Sequence, residues 1–261
     1  MESFIENRLN EFNSKLIRYD NSTFELAIQF EPTTIQKRMF ALINSIYPEA
    51  ELGQTVLDSD ADPEFVDDVV NHSNELLKLN EEHLARRRSG IQSWMVSGRA
   101  TSPGPSLQKF NTPTDPSDSW AGKPAKSAIF TSVASPEDLG MWFLYVITHE
   151  HIYTRPWFAW NLEIEEKAKQ LIVDSSMDWC SFVCRFPRQG ISGVSVNWVA
   201  AAEEYDAIHI TPKAVASIDS IEFNWHGKVI EASFWSVETT VWLRWKFRAG
   251  KQITLPAEPT A

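Results

Sequence analysis

At 261 residues the chain is long enough for one large domain or two small ones. Its 43% hydrophobic and 23% charged residues are those of a globular protein, and its longest apolar run, around Leu139 to Thr148, is too short to cross a bilayer. The formal charge of −11 excludes a general electrostatic attraction to nucleic acid, and the acid is concentrated: residues 1–90 hold 17 acidic and 9 basic side chains, the remainder 18 and 15.

Phe4, Ile5, Leu9, Phe12 and Leu16 recur at spacings of three and four, which predicts an amphipathic helix over 2–18, and this acidic start is not that of a secretory signal. TFELAIQF at 23–30 alternates as a half-buried strand does. Pro32, Thr33 and Thr34 introduce a second helix to about Ile46, and Asp62 and Pro63 a third that runs past Glu81 to Arg86, Arg87 and Arg88. Those arginines read either as a solvated helix end or as a recognition patch. Residues 100–126 are rich in Ser, Thr, Pro and Gly, which predicts a loop or lid. The expected boundary lies just before it, dividing an acidic, mainly helical domain at 1–88 from a second domain at 89–261.

Beyond Trp120 short strands and helices alternate. Strands are expected at 128–132, 158–164, 171–174, 207–211, 219–224, 228–234 and 237–247, and helices after Ser135, at 178–186 and at 197–205, with a loop at 190–193. This is an α+β order. Cys180 and Cys184 share a helix face and read as packing, since two thiols without clustered histidines make a poor zinc site. His149, Glu150 and His151 put two imidazoles on one face of an extended segment, either a minimal metal site or surface histidines. His209, on an otherwise apolar strand, reads as a core residue or a catalyst. In FWSVETTVWLRW at 234–245 one carboxylate, Glu238, stands among tryptophans and threonines, where it needs a partner or a task.

Three segments taken together, KPAKSAIFTS at 123–132, EEYDAIHIT at 203–211 and FWSVETTVWLRW at 234–245, resemble a group of ADP-ribosyltransferase-like proteins. In that group a Lys-Pro turn leads into an aromatic-Thr-Ser strand, a Tyr-Asp-apolar-His strand follows, and a Trp-x-x-Glu-Ser/Thr strand closes the domain. The match spans roughly residues 90–250. The resemblance implies a split β-sheet gripping NAD as a substrate, with Arg99 as the basic first-strand residue, Ser132 beside Thr131 orienting the ribose, and Glu238 as catalyst. It also implies NAD contacts from Trp120, Lys123 and Trp142, and no metal.

A carboxylate suits this chemistry because breaking the nicotinamide–ribose bond builds positive charge on the sugar. Arginine-directed relatives carry a second Glu two residues before the catalytic one; Ser236 stands there, so a nucleic acid is favoured over protein as acceptor. Recognition would then rest on loop aromatics with Arg155, Arg185, Arg188 and Lys213. The implied protein is a cytoplasmic toxin or phage-defence effector, with an antitoxin or regulatory protein as a further partner and no membrane. The alternatives are an NAD glycohydrolase and a non-catalytic interaction protein on a decayed transferase fold.

Overall fold

The computed structural model describes residues 61–71, 74–98, 104, 106, 110–135, 140–148, 152–219 and 221–253. The expected elements at 2–18, 23–30 and 33–46, together with Arg99 and His149 to His151, lie outside the described residues. The fold is mixed α/β. Helices α1 (Pro63–Asn71) and α2 (Asn74–Arg87) lead into β1 (Ile91–Ser97). Then follow β2 (Ile129–Val133), α3 (Met141–Thr148), β3 (Trp157–Ile164), β4 (Gln170–Val173), α4 (Ser176–Arg185), β5 (Pro187–Gln189) and β6 (Val194–Val196). The chain closes with α5 (Trp198–Glu204), β7 (Ala207–Ile210), α6 (Pro212–Ile218), β8 (Phe223–Trp225), β9 (Lys228–Ile230), β10 (Thr239–Trp242) and β11 (Phe247–Ile253).

Seven strands form one sheet in the order β11-β3-β1-β2-β10-β7-β4, and four form a second in the order β5-β6-β9-β8. In the large sheet only β4 and β7 run parallel. Strand β2 sits at its centre with divided pairing. Ile129, Phe130 and Thr131 pair with β10, whereas Ser132 and Val133 pair with Ser93 and Gln92 of β1. Beyond that short contact β1 turns wholly to β3, with which it pairs along all seven residues, so β1 and β2 diverge.

Alternation along the strands fills two cores. Ile208, Ile210 and Val241 face the larger, where they meet Trp179, Phe182 and Trp235. Ala207 and Trp242 face the smaller, with Trp160, Leu162 and Phe247. Val66, Val70, Leu76 and Leu79 of α1 and α2 belong to the larger core, so the described part of the expected N-terminal domain shares its interior with the residues that follow position 88.

Several elements differ from the sequence expectation for local reasons. The stretch 237–247 is not one strand. Asp219 accepts the N–H of Trp235 at 2.6 Å, Leu243 and Arg244 donate their N–H groups to Asp206 O, and the ladder survives only between these two anchors, at Thr239–Trp242. Helix α6 takes residues after Thr211, whose hydroxyl caps Ala214 N while Pro212 opens the first turn. The loop expected at 190–193 is present, but it is the turn of a hairpin whose strands, β5 and β6, were not expected. The polar segment before β2 is also tied down rather than free: Asp118 accepts from Ala125 N, Lys126 N and Ser127 Oγ, and Phe110 packs edge-on against Trp245.

Helix α3 lies close against β1 and β2 because Gly140 precedes it. A Cβ at Gly140 would sit 2.3 Å from Ser132 Cβ and 2.7 Å from Ser93 Oγ. We expect Gly140→Ala to lose about 1–3 kcal/mol of stability by overpacking, read as a lower Tm. An unchanged Tm would contradict this close contact.

Candidate active site

Where β1 and β2 part, a cleft of about 500 Å³ opens, a size within the roughly 300–1,000 Å³ of small-molecule sites. Trp94 and Val96 of β1, Ile129 and Phe130 of β2, Trp142 of α3, Tyr153 and Lys123 line it. Trp142 meets Tyr145 and Tyr153 edge to face, at centroid distances of 5.5 and 6.5 Å. Lys123 is held by a tight turn in which it and Trp120 exchange both backbone hydrogen bonds. Ala121 and Gly122 take φ of 51° and 77° there, and a Cβ at Gly122 would meet Ser233 Cβ at 2.6 Å.

At the closed end, where β1 and β2 still touch, the hydroxyls of Ser93 and Ser132 accept the N–H groups of Gly140 and Trp142, each at 2.9 Å. Ser132 is fully buried, and its hydroxyl also reaches Glu238 O at 3.5 Å. Glu238 therefore stands one residue behind the cleft wall, immediately before β10. Its side chain points to the face occupied by Thr240 and His209 and is covered there by α2. Val133 N donates to Oε1 at 3.0 Å, and Oε2 is buried without a partner among the described residues. His83 Nε2 and His209 Nδ1 lie 3.9 and 3.8 Å from Oε1.

The electrostatics of this cluster follow from burial. It pushes the Glu238 carboxyl up to about 8 against the opposing pull of the Val133 N–H, Arg86 and Arg87. Burial, reinforced by the same two arginines, takes His83 down to about 3, and burial with His83 and Arg87 takes His209 well below the usual histidine range. All three groups are neutral near pH 7. The two Nε2 atoms are 3.0 Å apart, so one imidazole donates to the other, and Thr240 Oγ1 engages His209 Nδ1 at 2.8 Å.

Among the described residues, His83, His209 and Glu238 form the one group whose donor atoms are close enough, within 4.8 Å, to surround a cation. Their directions do not converge as ligands must. The rings are nearly parallel, at 7°, and their centroids are 5.2 Å apart, close to the most a 3.0 Å nitrogen contact allows; they meet end to end, as in an N–H···N hydrogen bond. Glu238 lies beside the His209 nitrogen that Thr240 already engages.

Compared with family models, with characterised proteins and with solved structures, the chain finds no match in any of the three. The site is therefore read from its own geometry.

Of the residues expected at the site, Lys123 and Trp142 line the cleft. Ser132 caps α3 behind it, and Thr131 is buried, donating to Gln92 Oε1 at 2.7 Å and accepting from Trp242 Nε1 at 2.9 Å. Trp120 is 67% exposed at the turn beside Lys123. Arg155 lies over the Trp157 ring, two residues from Tyr153. Arg185 and Lys213 are paired with Glu204 and Asp174. Cys180 is buried, and burial pushes its thiol up, in keeping with packing. Gln92, Tyr153 and His83 were not anticipated; nothing in their immediate sequence marks them.

The cluster predicts a specific pH dependence of stability. Between 4.5 and about 8 folded Glu238 keeps a proton that the unfolded chain has released, so its contribution falls as pH rises through that window. Below 6.5 the unfolded chain protonates His83 while the folded protein, with a value of about 3, does not, so stability also falls on acidification. In denaturant titrations from pH 6.5 to 8, Glu238→Gln should therefore show a flatter stability profile than wild type. Parallel profiles would contradict the protonated, buried acid.

Proposed function

We propose that the chain is a mono-ADP-ribosyltransferase that binds NAD in the cleft between β1 and β2 and transfers ADP-ribose to a macromolecular acceptor. The observation that carries this reading is one juxtaposition: a sheet that parts at β2, an aromatic cleft lined by a lysine, and a carboxyl held by Val133 N, one residue past the Ser93–Ser132 contact that closes the cleft. In the reaction the bond between nicotinamide and ribose C1′ breaks with its electron pair leaving on nicotinamide. An acceptor nucleophile then bonds to C1′ and gives up its proton. Ionised Glu238, hydrogen-bonded to the ribose 2′-hydroxyl, offsets the positive charge that develops between these events. The carboxyl must be uncovered for this, so His83 and Arg87 of α2 withdraw from it in the reacting complex. Ser236 in place of a second acid favours a nucleic-acid base over arginine as acceptor.

The complete burial of Glu238 favours a second reading, in which the same fold serves as a non-catalytic interaction protein and Glu238 is structural. One experiment separates them. The protein is incubated with NAD labelled in its adenylate moiety and a cell lysate, nicotinamide release is followed, and the label is then exposed separately to protease and to nuclease. The transferase reading predicts nicotinamide release and nuclease-sensitive label. It also predicts that Glu238→Gln lowers turnover by about two to three orders of magnitude with NAD affinity retained, and that wild-type kcat/KM rises as Glu238 of the free enzyme ionises on passing pH 8. Protease-sensitive label would move the acceptor to protein. Release without label would mark a glycohydrolase, and neither release nor label would support the interaction protein.

A further inference from the structure

We propose that Lys123 is the anion anchor of the cleft and takes a phosphate group of a nucleotide, the amine and not an arginine fork supplying the charge; this rests on the cleft being the ligand site of the reading above. The turn that carries Lys123 fixes the backbone from which the side chain starts. Trp120 and Lys123 close it with hydrogen bonds of 2.8 and 2.9 Å, and Ser233 beneath Gly122 admits no side chain. From there Nζ lies 5.2 Å over the Trp235 ring, and Lys123 lines the cleft. Among the described residues no carboxylate pairs with it. Lys123 is half-buried, and an ammonium drawn partly out of water without a counter-charge is costly; burial pushes it down to about 8. A cation kept in that state at the rim of a cavity has its counter-ion supplied by what enters.

The surroundings say which anion. Trp94, Trp142 and Tyr153 offer ring faces and edges for a planar base, and a single ammonium is the point charge that phosphate oxygens accept. The start of α3 borders the same cleft, but Ser93 and Ser132 already take the N–H groups of Gly140 and Trp142, so the helix end does not provide the anion site.

Calorimetry with AMP, ADP-ribose and adenosine tests this on the full chain. Lys123→Met keeps an unbranched stem as far as Cε while removing the amine and its charge; it should weaken AMP and ADP-ribose by roughly 10- to 100-fold and leave adenosine within about twofold. Lys123→Arg should restore most of the lost affinity. Equal losses for AMP and adenosine, no loss for AMP, or no binding of any probe to wild type would overturn the proposal. Should Lys123→Met fail to fold, lysine-selective acylation of the wild type read by mass spectrometry serves instead. AMP should shield Lys123 and adenosine should not, and equal labelling with both would overturn it. A protein that binds AMP through Lys123 yet releases no nicotinamide from NAD keeps this inference and loses the transferase reading. One that turns over NAD with unchanged kinetics after Lys123→Met keeps that reading and loses this inference.

Discussion

Strand β2 lies between β10 and β1, and its five residues pair with β10 at Ile129, Phe130 and Thr131 but with β1 only at Ser132 and Val133. The edge of β2 that faces β1 is therefore unpaired along Ile129, Phe130 and Thr131, and the large sheet parts there. Unpaired strand backbone inside a fold is expensive, so such a gap persists only where the backbone groups find other partners or solvent. Ser93 and Ser132 mark the last point of contact, and both turn their hydroxyls to the start of α3. The start of the helix thereby ties the two strands together at the Ser93–Ser132 pair, and the cleft opens beyond that point.

The closed end of the cleft illustrates which electrostatic solution wins when acids and imidazoles are buried together. Ionising Glu238 and one histidine would create an ion pair, but moving two charges out of water costs several kcal/mol per ion before attraction returns any of it. Neutral forms need only hydrogen bonds. The Val133 N–H on Oε1, the imidazole pair and Thr240 on His209 supply them, leaving Oε2 as the unsatisfied atom. A carboxyl held protonated in this way is poised rather than inert: any event that uncovers it lowers its pKa and releases a charge next to the cleft.

Much of the scaffold was legible because local chemistry and tertiary context agree. Thr131 and Ser132 lie on a strand, Asn197 caps the helix expected at 197–205, the helix expected at 178–186 starts two residues earlier after Ser175, and Glu238 is buried. The errors fall where long-range partners override a local pattern. Nothing within FWSVETTVWLRW says that Asp219 and Asp206 would grip its two ends and shorten the strand. Thr211 and Pro212 did carry a helix start that was read only as a strand end. The site was legible in its members and not in its assembly. His83 meets His209 across 126 residues of sequence, a contact that no periodicity encodes. Nor does the sequence around Ser132 indicate that its hydroxyl accepts the Trp142 N–H at the start of α3.

The central claim, that the gap between β1 and β2 is where NAD binds, is open to direct measurement through the tryptophan indoles. Trp94 and Trp142 line the cleft, while Trp198 is fully buried away from it in the larger core. Indole N–H resonances, assigned by single Trp→Phe substitutions, would be followed in the ¹⁵N-labelled protein during titration with NAD. The account predicts saturable shifts at Trp94 and Trp142 with Trp198 unmoved. Resonances of the cleft pair that stay in place at millimolar NAD, or shifts confined to exposed Trp120, would contradict it.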